Sequence, residues 1–367
     1  MSRILYVAYP LLQVHDESAG GAEQILWTLE REMARRGVHT TVAASAGSRV
    51  SGELFSTGQP CTQPDDYERR RVEHEDQVVN FVRRRAREGK AFVLIHDHSG
   101  GFWRRAAEVD VPVLATLHLP RSFYPAGSFD DVPVNVRFNC VSDTQARTFA
   151  DLGALAGVVK NGIALDCFAY NDGADATNRT RRREGLLWLG RICEEKAPHL
   201  ALEIAERARM SITLAGQVYP FSYHQKYFER EIEPRLQTMP NARFIFAPSA
   251  ELKRRLLRES QALLITSLAE ETSSLVAMEA AASGTPVVAF RKGAHAEIVK
   301  DGVTGLLVED SGQAALALQN ISSIRPGTCV QHAQKHFSAV KMAERYSYLY
   351  QRLPVLRSLC ASSQKTA

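Results

Sequence analysis

The feature that most constrains the fold of this chain is a regular alternation of short apolar, β-rich runs with longer amphipathic segments. This alternation is typical of βαβ units, in which a helix connects each parallel strand to the next. In the first half it predicts one doubly wound domain, with Ser142 as the N-cap of its last helix. The predicted strands are 4–8, 40–44, 92–95, 111–116 and 136–141, and the predicted helices are 21–36, 67–88 and 142–152.

The alternation stops in a polar stretch from Asp166 to Arg183 and then restarts, which predicts a linker between two similar domains. The second set of strands is predicted at 185–189, 212–215, 243–246, 262–266 and 286–289, with helices at 198–209, 225–237, 250–258 and 274–283. The predicted class is α/β, with two Rossmann-like doubly wound domains that face each other across a cleft. The predicted segments are an N-terminal domain at 1–162, a linker at 163–184, a C-terminal domain at 185–337, a helix at 338–356 that returns to the first domain, and a flexible tail at 357–367.

Length and composition agree with a soluble two-domain protein. A chain of 367 residues fits two domains of about 150 residues each. With 45% hydrophobic and 23% charged residues, the composition excludes a disordered, collagen-like or coiled-coil protein. A formal net charge of +4 is too small to indicate nucleic-acid binding. The N-terminus lacks the apolar core of a signal peptide, and the six scattered cysteines indicate reduced thiols, so we expect a cytoplasmic location.

The stretch from Glu270 to Glu279 is the most informative candidate site. A helix predicted to begin near Ser274 would present free backbone N–H groups, which bind phosphate well. Glu271 precedes this helix and Glu279 lies about two turns further, so we expect one to reach a sugar and the other a ribose. The alternative is that Glu271 only stabilises the helix dipole and that Glu279 lies on a solvated face.

A second candidate site follows the strand predicted at 185–189. Gly190 keeps the turn open, Arg191 lies at the strand end, and Lys196 follows five residues later. Two cations there are able to neutralise a diphosphate, the arginine by a forked contact and the lysine as a point charge. The alternative is that both are surface residues paired with Glu194 or Glu195.

In the first half, Gly20 and Gly21 open the first long helix and allow close approach of an anion or sugar, although the spacing is not GxGxxG. His118 ends a strand, where it is placed to donate a hydrogen bond to a hydroxyl or phosphate; the alternative is a structural histidine at a sheet edge. His96 and His98 form a His-x-His pair, but no further ligand follows at a recognisable spacing, so no metal site is predicted.

Together these motifs resemble, in their order, the retaining glycosyltransferases of family 4, and especially their short bacterial members. The motifs that carry the resemblance are Gly20 to Glu23, the His118 motif, 159–163, the Gly190, Arg191 and Lys196 set, the Glu271 and Glu279 pair followed by 278–290, and 301–308. The resemblance implies the GT-B fold and transfer of a hexose from a nucleotide diphosphate sugar to an acceptor hydroxyl. UDP is the expected nucleotide and GDP the next.

The resemblance also implies roles for individual residues. Arg191 and Lys196 bind the donor diphosphate, Glu271 contacts the sugar hydroxyls, Glu279 holds the ribose, and His118 approaches the donor. The implied catalytic residues are Glu271, His118, Arg191 and Lys196. The implied donor-binding residues are Gly20, Gly21, Gly190, Arg191, Lys196, Gly216, Glu271, Thr272, Ser273, Ser274, Leu275 and Glu279.

One segment departs from the family. Many members carry Gly-Phe-Gly-Leu after the first glutamate, whereas this chain has Thr272, Ser273, Ser274 and Leu275. The backbone N–H groups remain and a hydroxyl is able to cap the helix, so phosphate binding is expected to persist while sugar selectivity changes. The substitution also raises an alternative, a non-catalytic protein that binds nucleotide sugars on the same scaffold.

The expected mechanism needs neither metal nor cofactor. No Asp-x-Asp motif occurs, which fits a site where Arg191 and Lys196 replace a divalent cation, and the nucleotide sugar is itself a substrate. The resemblance implies same-face attack without a carboxylate nucleophile. A sugar-nucleotide epimerase is a further alternative, and the missing GxGxxG disfavours a dehydrogenase.

Basic runs at 35–36, 83–85 and 253–255 raise the prospect of peripheral contact with the inner membrane surface, although such runs are commonly solvated helix faces.

Overall fold

The computed structural model describes residues 2–61, 63–168 and 183–353. These residues form two compact units. The first unit is made of the described residues of Met1–Gly162 and Ala339–Ala367, and the second of those of Ile163–Ser338. Most of the predicted linker (169–182) and the predicted tail (357–367) lie outside the described residues. Ile163 and Phe168, from the start of the predicted linker, pack in the core of the second unit.

The first unit is built on a seven-stranded parallel sheet of order β3-β2-β1-β4-β5-β6-β7. Its strands are β1 (Arg3–Val7), β2 (His39–Ala44), β3 (Glu53–Ser56), β4 (Leu94–Asp97), β5 (Val113–Leu117), β6 (Val136–Cys140) and β7 (Leu155–Val158). Its helices are α1 (Gly21–Arg35), α2 (Tyr67–Arg87) and α3 (Asp143–Thr148). The central strands are almost fully buried, as expected where helices cover both faces of a parallel sheet.

The second unit is built on a six-stranded parallel sheet of order β10-β9-β8-β11-β12-β13. Its strands are β8 (Leu186–Arg191), β9 (Ile212–Gln217), β10 (Ala242–Phe246), β11 (Ala262–Ile265), β12 (Val287–Phe290) and β13 (Gly305–Val308). Its helices are α4 (Pro198–Ala208), α5 (Ser222–Tyr227), α6 (Glu233–Thr238), α7 (Ala250–Glu259), α8 (Leu275–Ala282), α9 (His295–Ile298), α10 (Ser311–Ala317) and α11 (Pro326–His336). The two doubly wound sheets confirm the predicted fold class.

The last helix, α12 (Ala339–Arg352), belongs to the first unit although it follows the second in sequence. It packs against α1, where the Ser347 hydroxyl lies 3.6 Å from the Met33 sulfur. The guanidinium of Arg36, just beyond α1, donates to the Val340 carbonyl at 3.2 Å. The same helix buries Tyr346 and Tyr350 in the interior of the first unit.

The structure differs from the predicted elements in three main ways. Strands β3, β7 and β13 were not predicted. The helix predicted over 142–152 ends at Thr148, because Phe149 turns into the core, while the Ser142 cap is confirmed by its 3.2 Å bond from the Gln145 N–H. The helix predicted over 225–237 is interrupted by a π-helical segment, Phe228–Ile232. Pro234 follows this segment and has no N–H to continue an α-helical ladder.

Each sheet reverses its strand order at one place, between β1 and β4 and again between β8 and β11. In open parallel sheets, ligands bind beyond the carboxyl ends of the strands at such a reversal. These two edges are therefore where functional side chains are expected. Within the described residues, no helix has both the length and the apolar character needed to cross a membrane.

Candidate functional site

In the second unit, the predicted site residues lie at the reversal between β8 and β11. Arg191 is the last residue of β8, and Lys196 ends the short helical turn that follows it. Glu271 lies in the loop between β11 and α8. Because β8 and β11 are hydrogen-bonded parallel neighbours, their carboxyl ends bring these two loops together.

The loop that carries Lys196 is fixed by the end of β11. The Thr266 hydroxyl lies 2.8 Å from the Ala197 carbonyl, and the Leu268 N–H donates to the Glu195 carbonyl at 2.8 Å. Ala197 itself adopts a left-handed conformation, with φ of 46°. A non-glycine residue in that region is uncommon and persists only where its surroundings impose it. The position of Lys196 is thus set by tertiary contacts.

Lys196 forms an ion pair with Glu271, whose side chain is largely buried. The partner is therefore neither Glu194 nor Glu195, which was the alternative drawn from the sequence. Burial raises the pKa of Glu271, but Lys196 and the nearby His295 outweigh this effect and hold the pKa below its usual value. Glu271 is accordingly a carboxylate at neutral pH.

A glycine that the sequence analysis did not single out supports the Glu271 loop. Gly293 has φ of 51°, and a Cβ built there would lie 2.2 Å from the Glu271 carbonyl oxygen. The next residue, Ala294, donates its N–H to that same oxygen at 2.7 Å. The only sequence signal was the Lys-Gly pair after β12, which predicts no more than a turn.

The segment that departs from the family, residues 272–274, leads directly into α8. Ser274 occupies the N-cap position, but its side chain makes no capping hydrogen bond, so the expected hydroxyl cap is not formed. Leu275 begins the helix. Within the part of the chain that the structure describes, the buried Ser273 hydroxyl has no hydrogen-bond partner.

Glu279 lies on the buried side of α8 and is only 4% exposed, so it is not the solvated residue of the alternative interpretation. Its Oε1 accepts from Lys253 Nζ at 2.7 Å, whereas no described residue meets its Oε2. Lys253, on α7, was missed because in sequence it belongs to a run of basic residues that is typical of a solvated face.

Arg191 lies over the ring of Tyr219, 5.5 Å from the ring centre, and its Nε has no partner among the described residues. Beside it, Cys193, Glu195 and His224 bring a sulfur, a carboxylate oxygen and a ring nitrogen within 4.8 Å of one another. The Arg191 side chain also contacts the Cys193 sulfur and so places a positive charge at this cluster. Burial and Arg191 lower the pKa of His224 to about 4, and cation binding there is disfavoured by the same charge.

Two glycines lie opposite each other near the carboxyl ends of β8 and β9. They are Gly190 on β8 and Gly216 on β9, which are register partners. A Cβ at Gly216 would lie 1.7 Å from the Gly190 carbonyl oxygen, closer than any non-bonded contact allows. Gly216 is therefore required by the packing of two strands, whatever it contributes to a ligand.

In the first unit, Gly20 is the N-cap residue of α1 and Gly21 its first residue. A Cβ at Gly20 would lie 1.9 Å from Glu23 Oε2, so the side chain of Glu23 folds back over this glycine. Glu23 is only 5% exposed, and burial raises the pKa of its carboxyl to about 7.

Glu23→Gln is expected to stabilise the first unit in a pH-dependent way. The folded pKa of about 7 exceeds the ordinary value of 4.5, so the folded state binds a proton more tightly than the unfolded state. The wild-type carboxyl therefore leaves the free energy of unfolding unchanged at low pH, where it is protonated in both states. At about pH 8 it lowers the free energy of unfolding by about 3 kcal/mol. Glutamine removes this cost, so the gain should be about 2–3 kcal/mol at about pH 8 and below 1 kcal/mol at about pH 5. Hydrogen exchange of α1 peptides across a urea series measures it, and a pH-independent gain would contradict the assignment.

The carboxyl ends of β4 and β5 place the first-unit histidines side by side. His118 directly follows β5, and its Nε2 lies 3.0 Å from Nδ1 of His98, which directly follows β4. His98 in turn lies 3.3 Å from His96. His118 is thus one end of a chain of imidazoles, which the His-x-His spacing alone did not reveal.

The basic runs that raised the prospect of membrane contact are largely ion-paired with acidic neighbours. The observed pairs are Arg35 with Glu32, Arg36 with Glu344, Arg83 with Glu108, Arg84 with Glu88, Arg85 with Glu53 and Glu88, and Lys253 with Glu279. Such pairing is the behaviour expected of solvated helix faces, except for Lys253 with Glu279, whose side chains are mostly buried.

Comparison with known families places the sequence similarity mainly in the second unit. Residues 183–323 match the family model described as glycosyl transferases group 1. This segment contains β8 to β11 and the Lys196, Glu271 and Glu279 positions described above. The predicted resemblance to glycosyltransferases is thereby confirmed for this segment.

Among curated proteins, the chain is similar to several D-inositol 3-phosphate glycosyltransferases. It is 33% identical to that of Kribbella flavida over 198 residues, which cover 48% of this chain and 46% of the relative. It is 25% identical to that of Corynebacterium efficiens over 402 residues, which cover 93% and 92%. The first of these matches thus spans about half the length of the curated relative.

Solved structures match over nearly the whole chain. Sucrose-phosphate synthase from Thermosynechococcus elongatus is 20% identical with a TM-score of 0.75, covering 96% of this chain and 99% of that one. AviGT4, a glycosyltransferase involved in avilamycin A biosynthesis, is 21% identical with a TM-score of 0.71, covering 96% and 98%. Anabaena HepE, in complex with UDP and glucose, is 18% identical with a TM-score of 0.73, covering 96% and 100%. The chain therefore has the GT-B fold, as the sequence predicted.

Proposed function

We propose that this chain is a retaining, metal-independent glycosyltransferase that moves a sugar from a nucleotide diphosphate sugar to an acceptor hydroxyl. The observation that carries the proposal is a set of unpaired polar atoms in the second unit, beyond the carboxyl ends of β8 and β11. This region contains the Lys196 and Glu271 ion pair. It also contains three buried polar atoms that have no hydrogen-bond partner among the described residues, namely Arg191 Nε, Ser273 Oγ and Glu279 Oε2. Buried polar groups are normally hydrogen-bonded, so an unsatisfied set at a strand-order reversal favours a polar ligand.

Arg191 and Lys196 are proposed to bind the donor diphosphate. The leaving group of the reaction is a diphosphate, so stabilising its developing negative charge is the main catalytic task. Arg191 offers an unpartnered Nε–H, and its guanidinium carbon lies 5.5 Å from the centre of the Tyr219 ring. An ammonium has three donors, so Lys196 is able to keep Glu271 and also reach a phosphate oxygen. These two cations would supply the charge that other enzymes take from a divalent metal.

The two glutamates are proposed to hold the remainder of the donor. Glu271 is held as a carboxylate by Lys196 and suits hydrogen bonds from sugar hydroxyls. Glu279 Oε1 is occupied by Lys253, which leaves Oε2 to accept from a ribose hydroxyl. Sugar selectivity is proposed to depend on Thr272, Ser273 and Ser274, since Thr272 and Ser274 stand where many members of the resembled family have glycine and Ser273 stands where they have phenylalanine.

UDP is the first proposed nucleotide, because the structurally similar Anabaena HepE is described with UDP and with UDP-glucose. GDP is the second proposed nucleotide.

The test is calorimetric titration of UDP, GDP and ADP, with and without EDTA, followed by titration of sugar donors of the nucleotide that binds. Binding of one nucleotide that survives EDTA is expected. Binding that EDTA abolishes and Mg²⁺ restores would contradict metal independence.

Two alternatives share this scaffold and have distinct outcomes. A non-catalytic binding protein would bind nucleotide sugars tightly without transfer or slow donor hydrolysis. A sugar-nucleotide epimerase would change the donor sugar without any acceptor. Peripheral contact at the inner membrane surface remains a separate proposal, to be tested by sedimentation with anionic vesicles.

Glu271→Gln is expected to lower sugar transfer or donor hydrolysis about 10- to 100-fold while changing affinity for the bare nucleotide by less than about threefold. A carboxylate that accepts from sugar hydroxyls has no partner in the bare nucleotide, and glutamine keeps the shape of the side chain. The assay compares turnover of the donor with calorimetric binding of its nucleotide. Equal losses in both measurements would show that Glu271 acts only through structure.

A further inference from the structure

A largely buried ion pair joins two helices of the second unit. Lys253 on α7 donates from Nζ to Oε1 of Glu279 on α8 at 2.7 Å, and the two side chains are 22% and 5% exposed. Taking two charges out of water costs free energy that the attraction between them often fails to offset. Such a pair is weak evidence for a stabilising role, so its presence calls for another explanation.

The packing of α8 gives no reason for a charge at this position. Glu279 is the one charged residue among the eight of α8, and the buried residues beside it are alanines and Met278. The buried residues of α7 are likewise apolar. Replacing a buried ion pair by apolar side chains of similar volume is often neutral or stabilising. An apolar side chain would therefore suit this interface, and the carboxylate points to a ligand.

The two oxygens of the Glu279 carboxylate have different surroundings. Oε1 accepts from Lys253, whereas Oε2 is buried and has no hydrogen-bond partner among the described residues. Leaving a buried acceptor unpaired is costly, and such groups are normally hydrogen-bonded. Because a carboxylate only accepts, the group that meets Oε2 has to be a donor.

The ammonium of Lys253 determines where Oε2 points. A glutamate side chain loses rotamer freedom when it is held in one conformation, which costs free energy. The two oxygens belong to one planar group, so the contact at Oε1 restrains Oε2 as well. Without the cation the buried charge would be uncompensated, and the side chain would turn toward water or take up a proton. Either change removes Oε2 as a fixed acceptor.

We propose that Lys253 is a positioning residue that holds Oε2 of Glu279 ready for a ribose hydroxyl, and that it thereby sets a preference for ribonucleotides over deoxyribonucleotides. Lys253 acts through Glu279 and does not touch the nucleotide. The inference rests on the proposed function for its ligand. A deoxyribose that lacks the hydroxyl facing Oε2 would leave this buried acceptor unpaired, and a site built around a hydroxyl rejects such an analogue strongly.

The test is calorimetric titration of UDP, 2′-deoxy-UDP and 3′-deoxy-UDP, or of the GDP series if GDP is the nucleotide that binds. The wild type is expected to bind the ribonucleotide about 10- to 100-fold more tightly than at least one deoxy analogue. Lys253→Met removes the charge and keeps an unbranched side chain, and it should reduce this preference to less than about threefold. Lys253→Arg keeps a cation and should retain a preference of at least about fivefold.

Arg255→Met is the matched control. Arg255 lies two residues further along α7 with an exposed side chain, so the substitution removes the same charge from the same helix without touching the ion pair. Its preference for the ribonucleotide should equal that of the wild type within about twofold. If Lys253→Met does not fold, Lys253→Gln takes its place, because a neutral amide cannot compensate the carboxylate, and the same loss of preference is expected.

The comparison of ribonucleotide with deoxynucleotide separates positioning from other roles of Lys253. A lysine that only stabilises the helices would change the thermal midpoint and leave the preference intact, and one that binds the nucleotide directly would weaken all three ligands equally. Either result overturns the inference, as does an equal loss of preference in Arg255→Met. A wild type that binds neither UDP nor GDP contradicts the proposed function and this inference together, whereas a preference that survives in Lys253→Met contradicts this inference alone.

Discussion

Lys196→Ala is expected to weaken binding of the nucleotide diphosphate about 10- to 150-fold, equivalent to about 1.5–3 kcal/mol for a charged hydrogen bond. The ammonium is proposed to serve Glu271 and a phosphate oxygen at once, so its removal also leaves the Glu271 carboxylate without its cation. Transfer should fall at least as much as binding, because negative charge on the leaving group increases in the transition state. The measurement is calorimetric titration of the nucleotide together with donor turnover.

Lys226→Ala is the matched control for this substitution. Lys226 lies on α5 of the same unit with an exposed side chain, so its removal changes the net charge equally without touching the proposed diphosphate site. Affinity within about twofold of the wild type is expected. If both variants lose affinity equally, the effect of Lys196 is a general electrostatic one and the diphosphate assignment is wrong. Arg191→Ala should behave like Lys196→Ala.

Gly216→Ala is expected to destabilise the second unit by at least about 3 kcal/mol, which is large for a single methyl group. The added Cβ would lie 1.7 Å from the Gly190 carbonyl oxygen, and that oxygen belongs to the backbone of the paired strand. Only separation of β8 and β9 relieves the overlap, yet β9 is also bonded to β10 on its other side. Faster hydrogen exchange in β8 and β9 peptides and a lower thermal midpoint are the expected observations.

Gly312→Ala tests whether this cost arises from the position or from the substitution. Gly312 lies in α10 of the same unit, where a Cβ would meet only side-chain atoms, of Asp310 at 3.2 Å and Arg207 at 3.5 Å. Alanine in a helix is favoured over glycine by about 0.5–1 kcal/mol, so stability should hold or rise. A Gly216→Ala protein as stable as Gly312→Ala would refute the steric argument.

The fold was predictable because its dominant signal is local. Strands such as β1 and β12 are continuous apolar runs, and helices such as α1 begin at glycine and carry one apolar face. The strands that were missed give weaker signals. In β3, the sequence Glu-Leu-Phe-Ser lies at a sheet edge with both ends exposed, so no buried run marks it. Pairing with a neighbouring strand, which sequence does not display, is what makes it a strand.

The candidate site was predictable only where a residue type and a strand end coincide. Arg191 ends β8 and Glu271 follows β11, and that position suffices to single them out as candidates. The residues that contact the two glutamates could not be predicted from the sequence. Lys253 on α7 pairs with Glu279 on α8, and Gly293 supports Glu271 from the loop after β12. Both are tertiary contacts between distant segments, and neither residue has a local pattern that distinguishes it from surface residues.

The placement of α12 has a consequence for the order in which the chain acquires its structure on the ribosome. The second unit, Ile163–Ser338, is continuous and is fully translated before α12 appears. Until then the first unit lacks the tyrosine hydroxyls that meet His96, Thr116 and Asn139, and α1 lacks the helix that packs against it. Domains generally fold as units in the order of their synthesis. Here the unit that is translated first is the one that is finished last, so a nascent chain halted before Ala339 would present the uncovered side of α1 to chaperones.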